Sequence, residues 1–306
     1  KVGAEVSVGQ AIGMRDETAA KGFATHNITL SLLISAIWAS ILFILATPII
    51  GIYELESHIA NNAITYLRIV STAFPFVFMS AAFTGIFNAG GRSKIPFTIN
   101  GIGLAINMIL DPLFIFVFDW ETDGAAWATW IAQACVFTLF IHQLKFKKIL
   151  WDDFRFFGRL KKLYTTKIFK IGLPVATLNA LFAFVNMFLG RTASTVGGHI
   201  GLMAMTTSGQ IEAITWNTSQ GFSTALSAFV AQNYAAKKVS RVMKALKSTL
   251  FMTLIFGIFC SLLFIFYGNN IFAIFVPEKE AYEAGGLALR IDGYSQLFMM
   301  LEIVTQ

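Results

Sequence analysis

Residues 95–118 read IPFTINGIGLAINMILDPLFIFVF. A run of this length and hydrophobicity crosses a bilayer as one helix. Near its middle, in NMILDPLFIF (107–116), stand Asn107 and Asp111, four residues apart, with Pro112 directly after. A carboxylate at that depth costs about 2.5–3.5 kcal/mol on insertion scales, and an intramembrane acid that persists is by default a working one.

The rest of the chain is of the same kind. It is 56% hydrophobic and 13% charged, and Phe alone supplies 31 of its 306 residues. The charged share is about half that of a typical soluble domain, and the mean hydropathy is +0.67. So much apolar surface has no place to hide in a soluble chain of this size, so the repeated apolar runs read as membrane spans. Complete spans are expected near 27–50, 64–88, 95–118, 124–144, 169–192, 200–233 and 246–268. Broken ones are expected at 1–12 and 287–306. Both cysteines, Cys135 and Cys260, lie inside apolar runs and read as core residues rather than a disulfide or a reactive pair.

The net charge of +6 describes topology and not affinity for nucleic acid, because the basic residues collect in short loops. Arg15 with Lys21, Arg92 with Lys94, the stretch 145–170 and Lys237 to Lys247 are basic. The alternate loops carry Glu54 and Glu56, then Asp119, Glu121 and Asp123, then only His199, then Glu278, Glu280 and Glu283 against Lys279. The basic set is assigned to the cytoplasm. A shift of 222 residues also pairs Gln10 with Gln232, Ile49 with Ile271, Ile52 with Ile274, and Leu67-Arg68-Ile69 with Leu289-Arg290-Ile291. Six spans separate the copies, and an even number restores the orientation. The expected plan is therefore two parallel helical lobes, a plan found among transporters. The divisions are residues 1–144, a cytoplasmic linker at 145–168, and residues 169–306. The linker, KFKKILWDDFRFFGRLKKLYTTK (145–167), is expected either as an interfacial helix with Trp151, Phe154, Phe157 and Leu160 toward lipid, or as a solvated joint with anchoring aromatics.

Asn107 and Asp111 share one helix face. Pro112 has no N–H, so the carbonyl of Met108 loses its helical partner. A carboxylate, an amide oxygen and a freed carbonyl together suit Na⁺, or a proton on Asp111.

Three stretches carry a family likeness: GIFNAGGRSKIPFTINGIGLAINMILDPLFIF (85–116), GAAWATWIAQ (124–133) and GQIEAITWNTSQGFSTALSAFVAQNYAAKK (209–238). In these the chain resembles the multidrug and toxic compound extrusion (MATE) transporters, over what looks like the second to the tenth of twelve spans. The resemblance implies an all-α, polytopic membrane protein truncated at both ends. It also implies a cation site in the first lobe made of Asn107, Asp111 and Thr129, with Na⁺ possible at Asp111. The first-span aspartate that completes this site in the family would precede Lys1. A Gly near position 307 and two further spans are expected beyond Gln306.

The family also places acids in the seventh and tenth spans. Here the seventh, KIGLPVATLNALFAFVNMFLG (170–190), has only Asn179 and Asn186. Glu212 and Glu302 are then the second-lobe candidates for cation or substrate, with Glu5 a weaker one. Asp292 reads as interfacial, Arg68 and Arg290 as snorkelling or capping side chains, and Gln10 and Gln232 as bonded to neighbouring helices.

The expected function is a secondary antiporter exporting amphipathic or cationic drugs or toxic metabolites in exchange for Na⁺ or H⁺ by alternating access. No cofactor beyond the coupling ion is expected. The expected setting is the plasma membrane, with lipid and small-molecule substrates as partners, no nucleic acid, and a monomeric chain. The alternative is a lipid-linked oligosaccharide flippase of the same superfamily, although arginines are scarce within the spans. An intramembrane enzyme is remoter. His26, His58, His142 and His199 lie near span ends, and neither Cys has a His beside it. There is no G-x-x-x-x-G-K-[ST] to run an ATP-driven pump.

Overall fold

The computed structural model describes residues 1–51, 57–147, 150, 151, 153 and 155–305, with the backbone only at His199. Glu54, Glu56, the Ile52 half of one repeat pair, Phe154 and the His199 side chain lie outside it. The elements are α1 (Val2–Gly13), α2 (Glu17–Ile44), α3 (Ala46–Gly51), α4 (Ser57–Ala89), α5 (Lys94–Pro112), α6 (Glu121–Ile141), α7 (Lys162–Ala235), α8 (Val239–Phe275) and α9 (Lys279–Thr305). Wider π turns close α5 at Leu113–Val117 and α6 at His142–Phe146. No strand occurs among the described residues.

Six helical stretches are long and apolar enough to cross a membrane: Glu17–Ile44, Ser57–Ala89, Lys94–Val117, Glu121–Phe146, Lys162–Gly198 and Val239–Phe275. Their outward faces carry large bare side chains such as Phe97 (82% exposed) and Phe116 (80%). Exposure on that scale suits hydrocarbon as the solvent, since in water each such ring would cost about 1.5–3 kcal/mol. The chain is a multi-pass helical membrane protein.

The run 200–233 is helical, and a break at Gly198 (φ 58°, ψ −146°) divides it from the first part of α7, so that α7 is two helices. Gln210, Glu212, Asn217, Gln220, Gln232 and Asn233 make it more polar than the other six. One expectation needs correction. The linker forms no interfacial helix, since the described residues between Lys147 and Lys161 are non-helical. Trp151 is buried rather than turned to lipid, and Leu150 and Phe156 pack on the same core. Phe156 meets Phe83 edge-on at 6.2 Å. Of the four aromatic and aliphatic anchors, Phe157 and Leu160 do remain exposed.

The chain falls into two compact units, Lys1–Gly172 and Leu173–Gln306. In the first, α1, α2, α4 and α6 close on Phe83, Phe87, Phe140, Ile28 and Val8, with the linker against them. Small residues let the helices approach, as is usual where lipid offers no hydrophobic drive. A side chain at Gly85 would meet the Lys1 carbonyl at 2.6 Å, and one at Gly103 would collide with Val136. In the second unit α8 and α9 pack closely through Gly257, Gly268, Gly285, Gly286 and Gly293. Cys260 is buried there, Cys135 is half-buried in α6, and both are free thiols.

The helix ends carry the 222-residue repeat. α1 ends at Gly13 and α7 at Ala235; α2 starts at Glu17 and α8 at Val239; α4 starts at Ser57 and α9 at Lys279. The turn after each first helix also repeats bond for bond. Arg15 N–H bonds the Ile12 carbonyl and Asp16 N–H that of Ala11, just as Lys237 bonds Tyr234 and Lys238 bonds Asn233. Arg15 (φ 60°) and Lys237 (φ 58°) hold the same left-handed backbone.

Candidate functional site

Asn107 and Asp111 meet as their spacing requires, with Asn107 Nδ2 donating to Asp111 Oδ1 at 3.2 Å, both side chains half-buried. Pro112 ends the regular helix beside them. The next N–H, that of Leu113, bonds the Leu110 carbonyl and not that of Met108. The Met108 carbonyl is thus passed over by both following residues, and the backbone widens into the π turn. Such bulges recur where a helix must present backbone oxygens.

Thr129 stands on α6, across the α5–α6 hairpin. Two contacts set the register of that hairpin: Gly103 against Val136, and Gly124 against Phe114, where a Cβ would lie 2.9 Å from the Phe114 carbonyl carbon. That register places Thr129 opposite Ile109 and Leu110, within a turn of Asp111, and among the described residues no hydrogen bond joins its hydroxyl to Asp111. Phe114, Phe118 and Trp120, with ring centroids 5.1–5.7 Å apart, clamp the turn that joins the two helices. Among the described residues no three His, Cys, Asp or Glu side chains converge, so the arrangement is one carboxylate among neutral oxygens.

The second unit holds a different cluster. Gln296, wholly buried on α9, donates from Nε2 to Glu212 Oε1 at 2.6 Å and accepts at Oε1 from Thr215 Oγ1 at 2.7 Å. Thr215 also lies 2.7 Å from the Glu212 carbonyl oxygen. Asp292 is half-buried and sits one turn before Gln296, and so on the same face of α9. Glu302 is exposed and six residues past Gln296, which turns it away from Glu212. Asn179 and Asn186 are exposed on α7. Gln296 and Thr215 were missed in the sequence. The available signal was the four-residue spacing of Asp292 and Gln296 inside an apolar run.

Glu5 is buried on α1, facing the Asn88 amide of α4, and its Oε1 has no partner among the described residues. Arg68 reaches back from α4 to Thr47 Oγ1 of α3 at 3.2 Å and lies over the Phe43 ring. It therefore ties the helix ends together.

Residues 1–113 and 174–306 match the family model described as MatE. Asn107, Asp111, Glu212 and Glu302 fall inside the match and Thr129 outside it. A probable multidrug resistance protein, YoeA, of Bacillus subtilis is 24% identical over 96% of this chain and 65% of its own length. A probable multidrug resistance protein, NorM, of Thermotoga maritima is 23% identical over 98% of this chain and 65% of its own. The chain thus spans about 65% of the length of these curated relatives. A crystal structure of MATE in complex with MaL6 superposes with a TM-score of 0.86 at 19% identity, over 99% of this chain and 70% of that one.

Proposed function

The chain belongs to the MatE family, and from that premise we propose that it is the greater part of a secondary antiporter of the plasma membrane. It exports amphipathic or cationic compounds, drugs or toxic metabolites, in exchange for Na⁺ or H⁺. The curated relatives' names, which speak of multidrug resistance, support the substrate class. The basic linker and the basic turns lie on the cytoplasmic side.

One observation carries the coupling role: the Asn107–Asp111 pair beside a carbonyl that Pro112 releases, in mid-span. Asp111 carries the charge that a Na⁺ or a proton neutralises. Asn107 holds the carboxylate in place and adds a neutral oxygen, and Thr129 adds a hydroxyl within a turn of it. Occupying the site removes a bare charge from the span. It thereby favours whichever state buries the site more deeply, which is how a bound cation shifts an alternating-access equilibrium. Glu212, held by Gln296, is the second-unit candidate for cation or substrate, and Glu302 has the weaker claim because it faces away from that cluster.

The test is drug efflux in proteoliposomes of the full-length protein under imposed Na⁺ or H⁺ gradients, varied separately. Asp111→Asn keeps the shape and the Asn107 bond but removes the titratable charge. Cation-driven export should fall at least about a hundredfold, with unchanged or slightly improved expression, since a costly intramembrane charge has gone. Asn107→Ala and Thr129→Ala should weaken cation dependence by smaller factors. Wild-type export by Asp111→Asn would make that carboxylate structural. Lipid-oligosaccharide movement without drug export would favour the flippase reading.

A further inference from the structure

The segment that leads into α7 is fastened at one imidazole. His26 is buried in α2 at 6% exposure. Its Nδ1 lies 2.6 Å from the Gly22 carbonyl oxygen, which can only accept, so Nδ1 carries a proton. Its Nε2 lies 2.9 Å from the Lys161 backbone nitrogen, which can only donate, so Nε2 is bare. A single species satisfies both contacts, the neutral Nδ1–H tautomer. The surroundings are fitted to this joint. The Tyr164 ring lies against the imidazole at 4.6 Å and edge-on to Phe23 at 4.8 Å. Gly22 leaves room for it, since a Cβ there would come within 2.7 Å of the Tyr164 ring. Thr25 Oγ1 donates to the Arg155 carbonyl at 2.6 Å.

We propose that His26 is a pH-sensitive fastener: neutral, it holds residues 155–167 against α2, and protonated, it releases them. A proton added at Nε2 turns it toward the Lys161 N–H as a second donor, so an attraction becomes a clash of two donors. Among the described residues the neighbouring charges do not compensate. The Lys167 ammonium lies 5.1 Å over Phe23, adding positive charge to the same patch. On α2, Lys21 is paired with Glu17 at 2.7 Å. On α1, Glu5 faces Asn88 with Lys1 beside it, and α4 has no ionisable side chain from Ser71 to Ala89. Among the described residues no carboxylate pairs with the ring. The freed part is the start of α7 together with the non-helical segment that precedes it, within the first unit.

Hydrogen exchange on the full-length protein in lipid nanodiscs tests this, at pH 5.0 and 8.0, which bracket the range over which imidazoles charge. Rates are corrected for intrinsic exchange. In the wild type, protection of the Lys161 amide should fall about tenfold at the lower pH, the weight of one hydrogen bond, while α4 stays unchanged. His26→Phe keeps a ring against Tyr164 but offers no acceptor, so protection should be low at both pH values. His26→Gln keeps an acceptor that does not charge, so protection should be equal at both. Thr25→Val should lower protection yet keep the pH step. A wild type without the step, or a step that survives in His26→Phe or His26→Gln, overturns the proposal.

Discussion

Replacing Gln296 by Leu removes the centre of the second-unit cluster. The change deletes a 2.6 Å bond to a carboxylate and a 2.7 Å bond from Thr215. Referenced to water, a bond to a charged group contributes about 1.5–3 kcal/mol and a neutral one about 1 kcal/mol. Between membrane helices the measured mean is nearer 0.6 kcal/mol, with a maximum of about 1.7 kcal/mol, because the unfolded chain finds other partners. Gln296 is wholly enclosed, so no water takes its place and Glu212 loses a donor outright. The expected cost of Gln296→Leu is therefore about 2–3 kcal/mol. Glu212→Gln keeps the size and an acceptor, and should cost about 1 kcal/mol. If the two residues act as a pair, the double variant costs less than the two singles together by about 1 kcal/mol or more. Reversible unfolding in mixed micelles of the four proteins measures this. Additivity within about 0.3–0.5 kcal/mol, as for independent sites, would refute the pairing and leave Glu212 free for another role.

Gly286→Ala should destabilise the second unit by about 1–3 kcal/mol, as overpacking does. The new Cβ would lie 2.7 Å from the Cα of Asn269, which is backbone and cannot rotate aside. Gly101→Ala meets nothing within 4 Å on exposed α5 and should instead stabilise by about 0.5–1 kcal/mol. The same unfolding assay reads both signs. Single cysteines at positions 57 and 150, in a background lacking Cys135 and Cys260, should label from opposite sides of the membrane with an impermeant reagent. Labelling from one side would sink the assigned topology.

The spans were legible because lipid selects apolar residues all along a helix, and Phe97 or Phe116 announces that directly. Helix ends were less so. α2 starts at Glu17 rather than near 27, because Asp16 caps it by accepting from the Ala19 N–H at 2.9 Å and its first turns are polar. Hydropathy marks where a helix enters hydrocarbon, not where it begins. The Asn107–Asp111 contact was legible because helical spacing alone dictates it. Gln296 was not, since its partners stand 81 and 84 residues away in the chain. The linker misled for a related reason. Aromatics spaced along a basic run fit an amphipathic helix, and only tertiary structure shows that Trp151 and Phe156 have a protein core to enter instead.

The repeat shows why so few identities survive in a conserved chain path. GMRD (13–16) and AAKK (235–238) share no residue in register, yet both close the preceding helix with the same pair of backbone bonds. That pair, with a left-handed residue between, is the Schellman motif, whose left-handed position usually carries Gly. α4 obeys that rule at Gly91 (φ 71°), with Gly91 N–H on Asn88 and Arg92 N–H on Phe87. The two repeated turns place Arg15 and Lys237 there instead, accepting about 1 kcal/mol of backbone strain each. A cation at that point meets the negative end of the helix dipole and lies where a chain leaves the membrane on its basic side. Even the cap is dispensable: Asp16 caps α2, while Lys238 makes no such bond to α8. What the two copies hold in common is therefore a backbone turn and a positive charge, and neither requires a particular side chain.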